Sequence, residues 1–131
     1  MIGLLVDHNI EGQAALLWTT ITTEGWLDLI PMRLMRFSDI ELAHDSNDRI
    51  VWRIAQKHQL LLLTANRNMD DQDSLEQTLR EENTLSALPV ITISSIDRML
   101  EMPYRIRCAT RIAEIAIYVS NYLGTGRIFI P

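Results

Sequence analysis

The chain has 131 residues, of which 47% are hydrophobic and 22% are charged, and this composition predicts one folded domain over residues 1–131. No apolar run approaches the roughly 18 residues of a transmembrane helix, and the first residues lack the basic segment of a signal peptide. We therefore expect a cytoplasmic protein with no membrane contact. The net charge of −5 argues against nucleic-acid binding by bulk electrostatics. It argues less against a metal-dependent nuclease, because bound divalent cations neutralise acidic charge.

The first third of the chain predicts a strand, a helix and a second strand. Ile2–Val6 is apolar throughout, which is typical of a parallel strand buried on both faces, and it ends at Asp7. Asn9 is a suitable N-cap for the helix that follows. Gly25 is a suitable residue to end that helix. Residues 26–30 are predicted to form a second strand, and the segment 32–44 has no readable pattern.

The middle of the chain predicts a helix, a strand and a polar loop. Residues 45–48 contain several capping side chains, and the helical apolar period that follows extends to about Gln59. Residues 60–63 form a fully apolar third strand that ends at Thr64. The polar residues 65–71 then predict a loop. A helix is expected to start near Asp73, which has Glu76 three residues later.

The last third predicts two more strands separated by helices. Residues 89–93 form a fourth strand, Pro103 opens a long helix, and Arg127–Ile130 form a fifth strand. Strands that alternate with helices predict a mostly parallel sheet covered on both faces. The predicted fold class is therefore α/β, with a three-layer α/β/α sandwich.

Acidic and amide side chains follow the first and third predicted strands. In doubly wound sheets, ligands bind beyond the carboxyl ends of the strands, where the strand order reverses. Carboxylate oxygens there suit Mg²⁺ or Mn²⁺, and such ions activate water and stabilise a phosphoryl transition state. The residues that the pattern brings toward this edge are Asp7, Asp45, Asp48, Asn66, Asn68, Asp70 and Asp71.

Each of these acids also has a structural interpretation. An acid after a first strand often only caps a helix, although His8 and Asn9 leave Asp7 available for another role. Asp45 competes with Ser46 for one N-cap. A carboxylate in the first turn of a helix, as predicted for Asp48, is favoured by the helix dipole without any ligand.

Three short motifs in series resemble the PIN-like proteins, a group related to the toxin nucleases of toxin–antitoxin pairs. The strand that closes in Asp7-His8-Asn9 resembles the D-E-N opening of that group. The helix that begins at Asp48 and includes Ala55 resembles its D-x-x-I-x-x-x-A helix. The stretch 61–69, LLLTANRNM, resembles its v-l-v-T-x-D-x-D-F strand and loop. Order and spacing agree over roughly the first half of the chain.

The resemblance implies a PIN-like three-layer sandwich and, in active members, RNA cleavage that depends on Mg²⁺ or Mn²⁺. It places Asp7 and Asp48 at catalytic, metal-binding positions. Asp70 and Asp71 are expected to serve as further metal ligands if a shift of the loop compensates for the missing acids. The residues that we expect to bind substrate are Asn9, Thr64, Asn66 and Asn68. Asn66 and Asn68 stand where the family pattern has aspartates. An asparagine can offer a carbonyl oxygen to an ion but no negative charge.

Two functions follow from these features. The first is a metal-dependent ribonuclease with a partly depleted acidic site. The second is a non-catalytic PIN-like module that binds RNA or a protein partner such as an antitoxin-like chain. A receiver or flavodoxin-like domain is a third class, disfavoured because no second acid adjoins Asp7 and the sole lysine is Lys57. We also expect a homodimer, since three tryptophans are many apolar groups for so small a domain.

Overall fold

The computed structural model describes residues 1–66 and 71–131, and these contain five β-strands that form one parallel sheet. All four neighbouring pairs are parallel, and the strand order is β2-β1-β3-β4-β5. This is a doubly wound order: β2 lies on one side of β1 and β3 to β5 lie on the other, so the direction in which strands are added reverses between β1 and β3. The strands are β1 (Ile2–Val6), β2 (Met32–Met35), β3 (Leu60–Thr64), β4 (Val90–Ile93) and β5 (Arg127–Ile130).

Helices cover both faces of this sheet. They are α1 (Glu11–Thr23), α2 (Trp26–Leu29), α3 (Asp48–Lys57), α4 (Leu75–Glu82) and α5 (Met102–Ile117). Helix α1 contacts α5 on one face, and α3 contacts α4 on the other. The predicted α/β/α sandwich is therefore confirmed, with a sheet that is parallel throughout.

Successive residues of β1 and β3 pack into two separate cores, as the period of two in a strand requires. Leu4 and Leu61 join the core under α1 and α5. Leu5 and Leu62 join the core under α3 and α4. Burial on both faces explains why these strands are apolar without alternation.

The second strand lies further along the chain than the sequence predicts. Residues 26–30 contain the short helix α2, and the strand is Met32–Met35. It pairs only with β1 at the edge of the sheet, and Arg33 within it is exposed. A short apolar run does not distinguish helix from strand by periodicity, so the prediction for 26–30 was wrong.

Capping residues also differ from some predictions. Helix α1 has no side-chain cap, so the cap predicted at Asn9 is wrong. Asn47 caps α3, rather than Asp45 or Ser46. Ser74 caps α4.

None of the helices in residues 1–66 and 71–131 is both long enough and apolar enough to cross a bilayer.

Candidate metal centre

A cavity of about 60 Å³ lies at the carboxyl ends of β1 and β3, where the strand order reverses. It is far smaller than the roughly 300 Å³ or more of a typical small-molecule pocket. Its size suits an ion with a few water ligands. Its polar lining comes from Asp7, Asn9, His44, Ser46, Asp48, Thr64 and Asn66.

Asp7 enters the cavity from the end of β1. Its backbone N–H donates to the carbonyl of Leu63 (2.9 Å), which continues the parallel ladder with β3 by one residue. Its Oδ2 accepts a 2.8 Å hydrogen bond from the Thr64 hydroxyl. Its Oδ1 accepts from the backbone N–H of Asn9 (3.2 Å), so Asp7 also caps the short 3₁₀ helix His8–Ile10. Asp7 therefore has the structural role of a cap and a place in the cavity at once.

Asp48 enters the same cavity from the first turn of α3. The side chain of Asn47 accepts from the N–H of Ile50 (2.9 Å), so the cap of this helix does not use Asp48. Asp48 Oδ2 accepts hydrogen bonds from the side-chain amide of Asn66 (2.7 Å) and from the backbone N–H of Leu75 (3.1 Å). Asp48 thus joins α3 to the end of β3 and to the start of α4.

The environment of Asp48 raises the pKa of its carboxyl above the usual range for an aspartic acid. Burial is the largest cause, because a partly desolvated carboxylate loses hydration, and the negative charge of Asp7 adds to it. The hydrogen bonds from Asn66 and Leu75 oppose the rise by stabilising the ionised form. Asp7 is therefore close enough to Asp48 for its negative charge to disfavour ionisation of the Asp48 carboxyl.

Thr64 and Asn66 connect the two acids. The Thr64 hydroxyl donates to Asp7 and accepts from the backbone N–H of Asn66 (3.0 Å). The side chain of Asn66 then donates to Asp48. A single polar chain therefore leads from Asp7 through Thr64 and Asn66 to Asp48.

An ion-pair network joins the start of α3 to the residues just before α4 and to the last turn of α4. The guanidinium of Arg49 donates to the carbonyl of Gln72 (2.9 Å), to Asp73 (3.0 Å) and to Glu81 (2.9 Å). Its side chain is only 13% exposed. Because Arg49 is adjacent to Asp48, this network keeps the N–H of Leu75 within reach of the Asp48 carboxylate.

Two histidine rings stack beside the cavity. His44 lines it, and its ring lies on that of His8 with centroids 4.0 Å apart and an angle of 11° between the planes. The sequence places His44 in an unreadable segment, and nothing in its spacing from His8 predicts this stack.

The predicted site residues fall into three groups, and Asp45 belongs with Asp71 because it is exposed and does not line the cavity. The structure brings Asp7, Asn9, Asp48, Thr64 and Asn66 together in the lining of one cavity. Asp71 is exposed and does not line it; its carboxylate accepts a long contact from the N–H of Asp73 (3.4 Å). Asn68 and Asp70 lie outside the described residues.

The oxygen donors in this cavity fit a hard cation that takes few of its ligands from the protein. In residues 1–66 and 71–131, no group of three or more His, Cys, Asp or Glu side chains is placed to hold a metal ion. Two carboxylates are nevertheless the number that commonly binds Mg²⁺, which keeps several waters and takes further ligands from substrate phosphates. Asp7 and Asp48 are the residues that would hold such an ion.

No family model matches the sequence, and no curated protein or solved structure matches it either. The resemblance to PIN-like proteins therefore depends on the sequence motifs around Asp7, Asp48 and Thr64.

Proposed function

We propose that this chain is a PIN-like ribonuclease that depends on Mg²⁺ or Mn²⁺ and has weak activity because its acidic site is depleted. One observation carries the proposal. Asp7 and Asp48, which are 41 positions apart in the sequence, line one small cavity at the reversal point of the sheet. These are the two acids that the family motifs place at the metal.

Asp7 and Asp48 hold the ion in this proposal, and the other lining residues orient them. A bound divalent cation would lower the pKa of a water molecule bound to it and would stabilise the negative charge that develops on the phosphoryl group. Thr64 fixes one oxygen of Asp7 by donating to it, and Asn66 does the same for Asp48. Asn9, Thr64 and Asn66 are the described residues that would contact the substrate, and Asn68, which we also expect to bind substrate, lies outside the described residues.

Two features explain why the activity should be weak. Asn66 presents its amide nitrogen to Asp48 and adds no negative charge where the family pattern has an aspartate. The net charge of −5 also weakens the attraction of an RNA backbone.

Cleavage of a labelled single-stranded RNA in the presence of Mn²⁺ tests the proposal. We expect slow cleavage by the parent protein that EDTA abolishes and that Asp7→Asn and Asp48→Asn each reduce by at least about 100-fold, since either change removes a ligand charge. Asp28→Asn is a matched control, because Asp28 is exposed on α2. Cleavage that survives both cavity variants would assign the activity to another site or to a contaminant.

A second candidate is a non-catalytic PIN-like module that binds RNA or a protein partner, such as the antitoxin-like chain of a toxin–antitoxin pair. The observation that favours it is the presence of only two carboxylates among the described residues that line the cavity. Fluorescence anisotropy with labelled RNA distinguishes the two functions. Binding without cleavage at saturating Mn²⁺ would favour the module.

A cytoplasmic location and a homodimer complete the proposal. The tryptophans no longer support the homodimer, because Trp52 is buried and Trp18 and Trp26 pack partly buried against the core. The molar mass of the protein in solution tests self-association.

A further inference from the structure

Arg127 is the first residue of β5, and its side chain is 8% exposed. One guanidinium nitrogen, Nη1, donates to the backbone carbonyl of Asn66 (2.7 Å) and to the Thr92 hydroxyl (2.8 Å). The other, Nη2, lies 3.4 Å from Glu76 Oε2. An arginine at the edge strand thus reaches across β4 to the end of β3.

These contacts hold the backbone of Asn66 from two sides. Its N–H donates to Thr64 Oγ1, and its carbonyl accepts from Arg127. Because both its backbone N–H and its carbonyl are hydrogen-bonded, the Cα of Asn66 is held in place, and from there its side-chain amide donates to Asp48 Oδ2. A planar guanidinium makes this kind of multiple contact, whereas a lysine ammonium lacks the rigid fork.

We infer that Arg127 is a positioning residue for the cavity: it holds Asn66 in the place from which the Asn66 amide contacts Asp48, and so it orients the Asp48 carboxylate toward an ion. The inference rests on the proposed function in so far as the cavity binds a cation. Partners that orient metal ligands typically change metal affinity by about 10- to 100-fold when they are removed.

Two readouts test this role, one of them without any metal. The first is the position of the Asn66 side-chain amide signals in a ¹⁵N–¹H spectrum of the metal-free protein. The second is the affinity for Mn²⁺ by calorimetry. For Arg127→Met we expect the Asn66 amide signals to move and the Mn²⁺ Kd to rise by about 10-fold or more.

Two further variants separate positioning from charge and from stability. Arg127→Lys keeps the positive charge and loses the fork, so we expect it to move the same amide signals and to weaken Mn²⁺ binding in the same direction. Thr92→Val removes another partner of Arg127 while leaving the Asn66 contact. It should lower Tm but leave the Asn66 signals and the Mn²⁺ Kd within about twofold of the parent, well inside the effect expected for a lost orienting partner.

The outcomes are distinct for the two proposals. Unmoved Asn66 amide signals in both Arg127 variants overturn the positioning role, whatever the metal result. Moved signals with an unchanged Mn²⁺ Kd overturn its connection to the ion. A parent protein that binds no Mn²⁺ contradicts the proposed function itself, and the amide signals then still decide whether Arg127 places Asn66.

Discussion

The side-chain amide of Asn66 donates a 2.7 Å hydrogen bond to Asp48 Oδ2. The PIN-like pattern that this segment resembles has an aspartate at the position of Asn66, and two carboxylates in that contact would repel each other without an ion. The asparagine replaces this repulsion with a hydrogen bond to a charged acceptor, which is among the stronger kinds. The cavity is therefore better adapted to the metal-free state than a fully acidic site would be.

Asn66→Asp should reverse this adaptation. In metal-free buffer the variant loses the hydrogen bond and places two acids side by side, so we expect it to lose about 1–3 kcal/mol of stability, or roughly 4–10 °C in Tm. With about 10 mM Mn²⁺ it should regain more stability than the parent does, because a third carboxylate tightens the site.

Differential scanning calorimetry with and without Mn²⁺ measures both effects. Asn121→Asp is the matched control, since Asn121 is exposed in a short 3₁₀ helix. Its Tm should stay close to that of the parent both without and with Mn²⁺. An Asn66→Asp variant with the metal response of the parent would mean that position 66 does not face the ion.

The stability of Asp48→Asn relative to the parent should depend on pH. Burial and the charge of Asp7 raise the pKa of Asp48 in the folded protein above that of the unfolded chain. Ionisation therefore costs folding free energy, and this cost is absent below the unfolded value of about 3.9 and complete above the folded pKa. Asparagine has no such cost. In metal-free buffer, the Tm of Asp48→Asn minus that of the parent should be more positive at pH 7 than at pH 3.

Thermal melts at several pH values test this dependence. Asp28→Asn again serves as the control and should give a difference that changes little with pH. A difference for Asp48→Asn that is as flat as that of the control would contradict the raised pKa.

Two glycines should respond in opposite ways to alanine. Gly124 has φ of +83°, and a Cβ there would lie 2.9 Å from the carbonyl oxygen of Leu85, so Gly124→Ala should lose more than about 1 kcal/mol. Gly12 lies in α1, and a Cβ added there would have no atom within 4 Å. Gly12→Ala should therefore raise the free energy of unfolding by about 0.5–1 kcal/mol. Urea unfolding of both variants measures this, and similar effects of equal sign would contradict the backbone described around Gly124.

Self-association is a prediction that molar mass decides. The chain has a mass of 15.1 kDa. Light scattering at tens of micromolar should therefore give a homodimer a molar mass of twice 15.1 kDa. A mass of one chain across that range would remove the homodimer.

Much of the fold follows from the sequence because β1, β3 and β4 are buried on both faces and are therefore apolar. The prediction was confirmed for β1, β3, β4 and β5. It failed for β2, a partly buried strand with exposed Arg33, because the apolar segment 26–30 just before it carries the stronger signal and a short apolar run does not distinguish helix from strand.

The site was predictable where strand ends and the start of α3 decide position. That Asp7 and Thr64 converge follows from the parallel pairing of β1 and β3, and the structure joins them across 57 positions. The contact of Arg127 with the Asn66 carbonyl spans 61 positions and depends on the length of one side chain across β4. The stack of His8 on His44 depends on the course of a loop. Neither leaves a periodic signal in the sequence.

Titration with Mn²⁺, followed by calorimetry, tests most directly whether Asp7 and Asp48 form one ion site. A cavity with two carboxylates should bind one Mn²⁺ with a Kd on the order of 1 mM, a value typical of weak sites for hard cations. Asp7→Asn and Asp48→Asn should each abolish measurable binding, while Asp28→Asn should bind as the parent does. Binding that is equal in the parent and in both cavity variants would place the ion elsewhere and leave Asp7 as the cap of the His8–Ile10 helix alone.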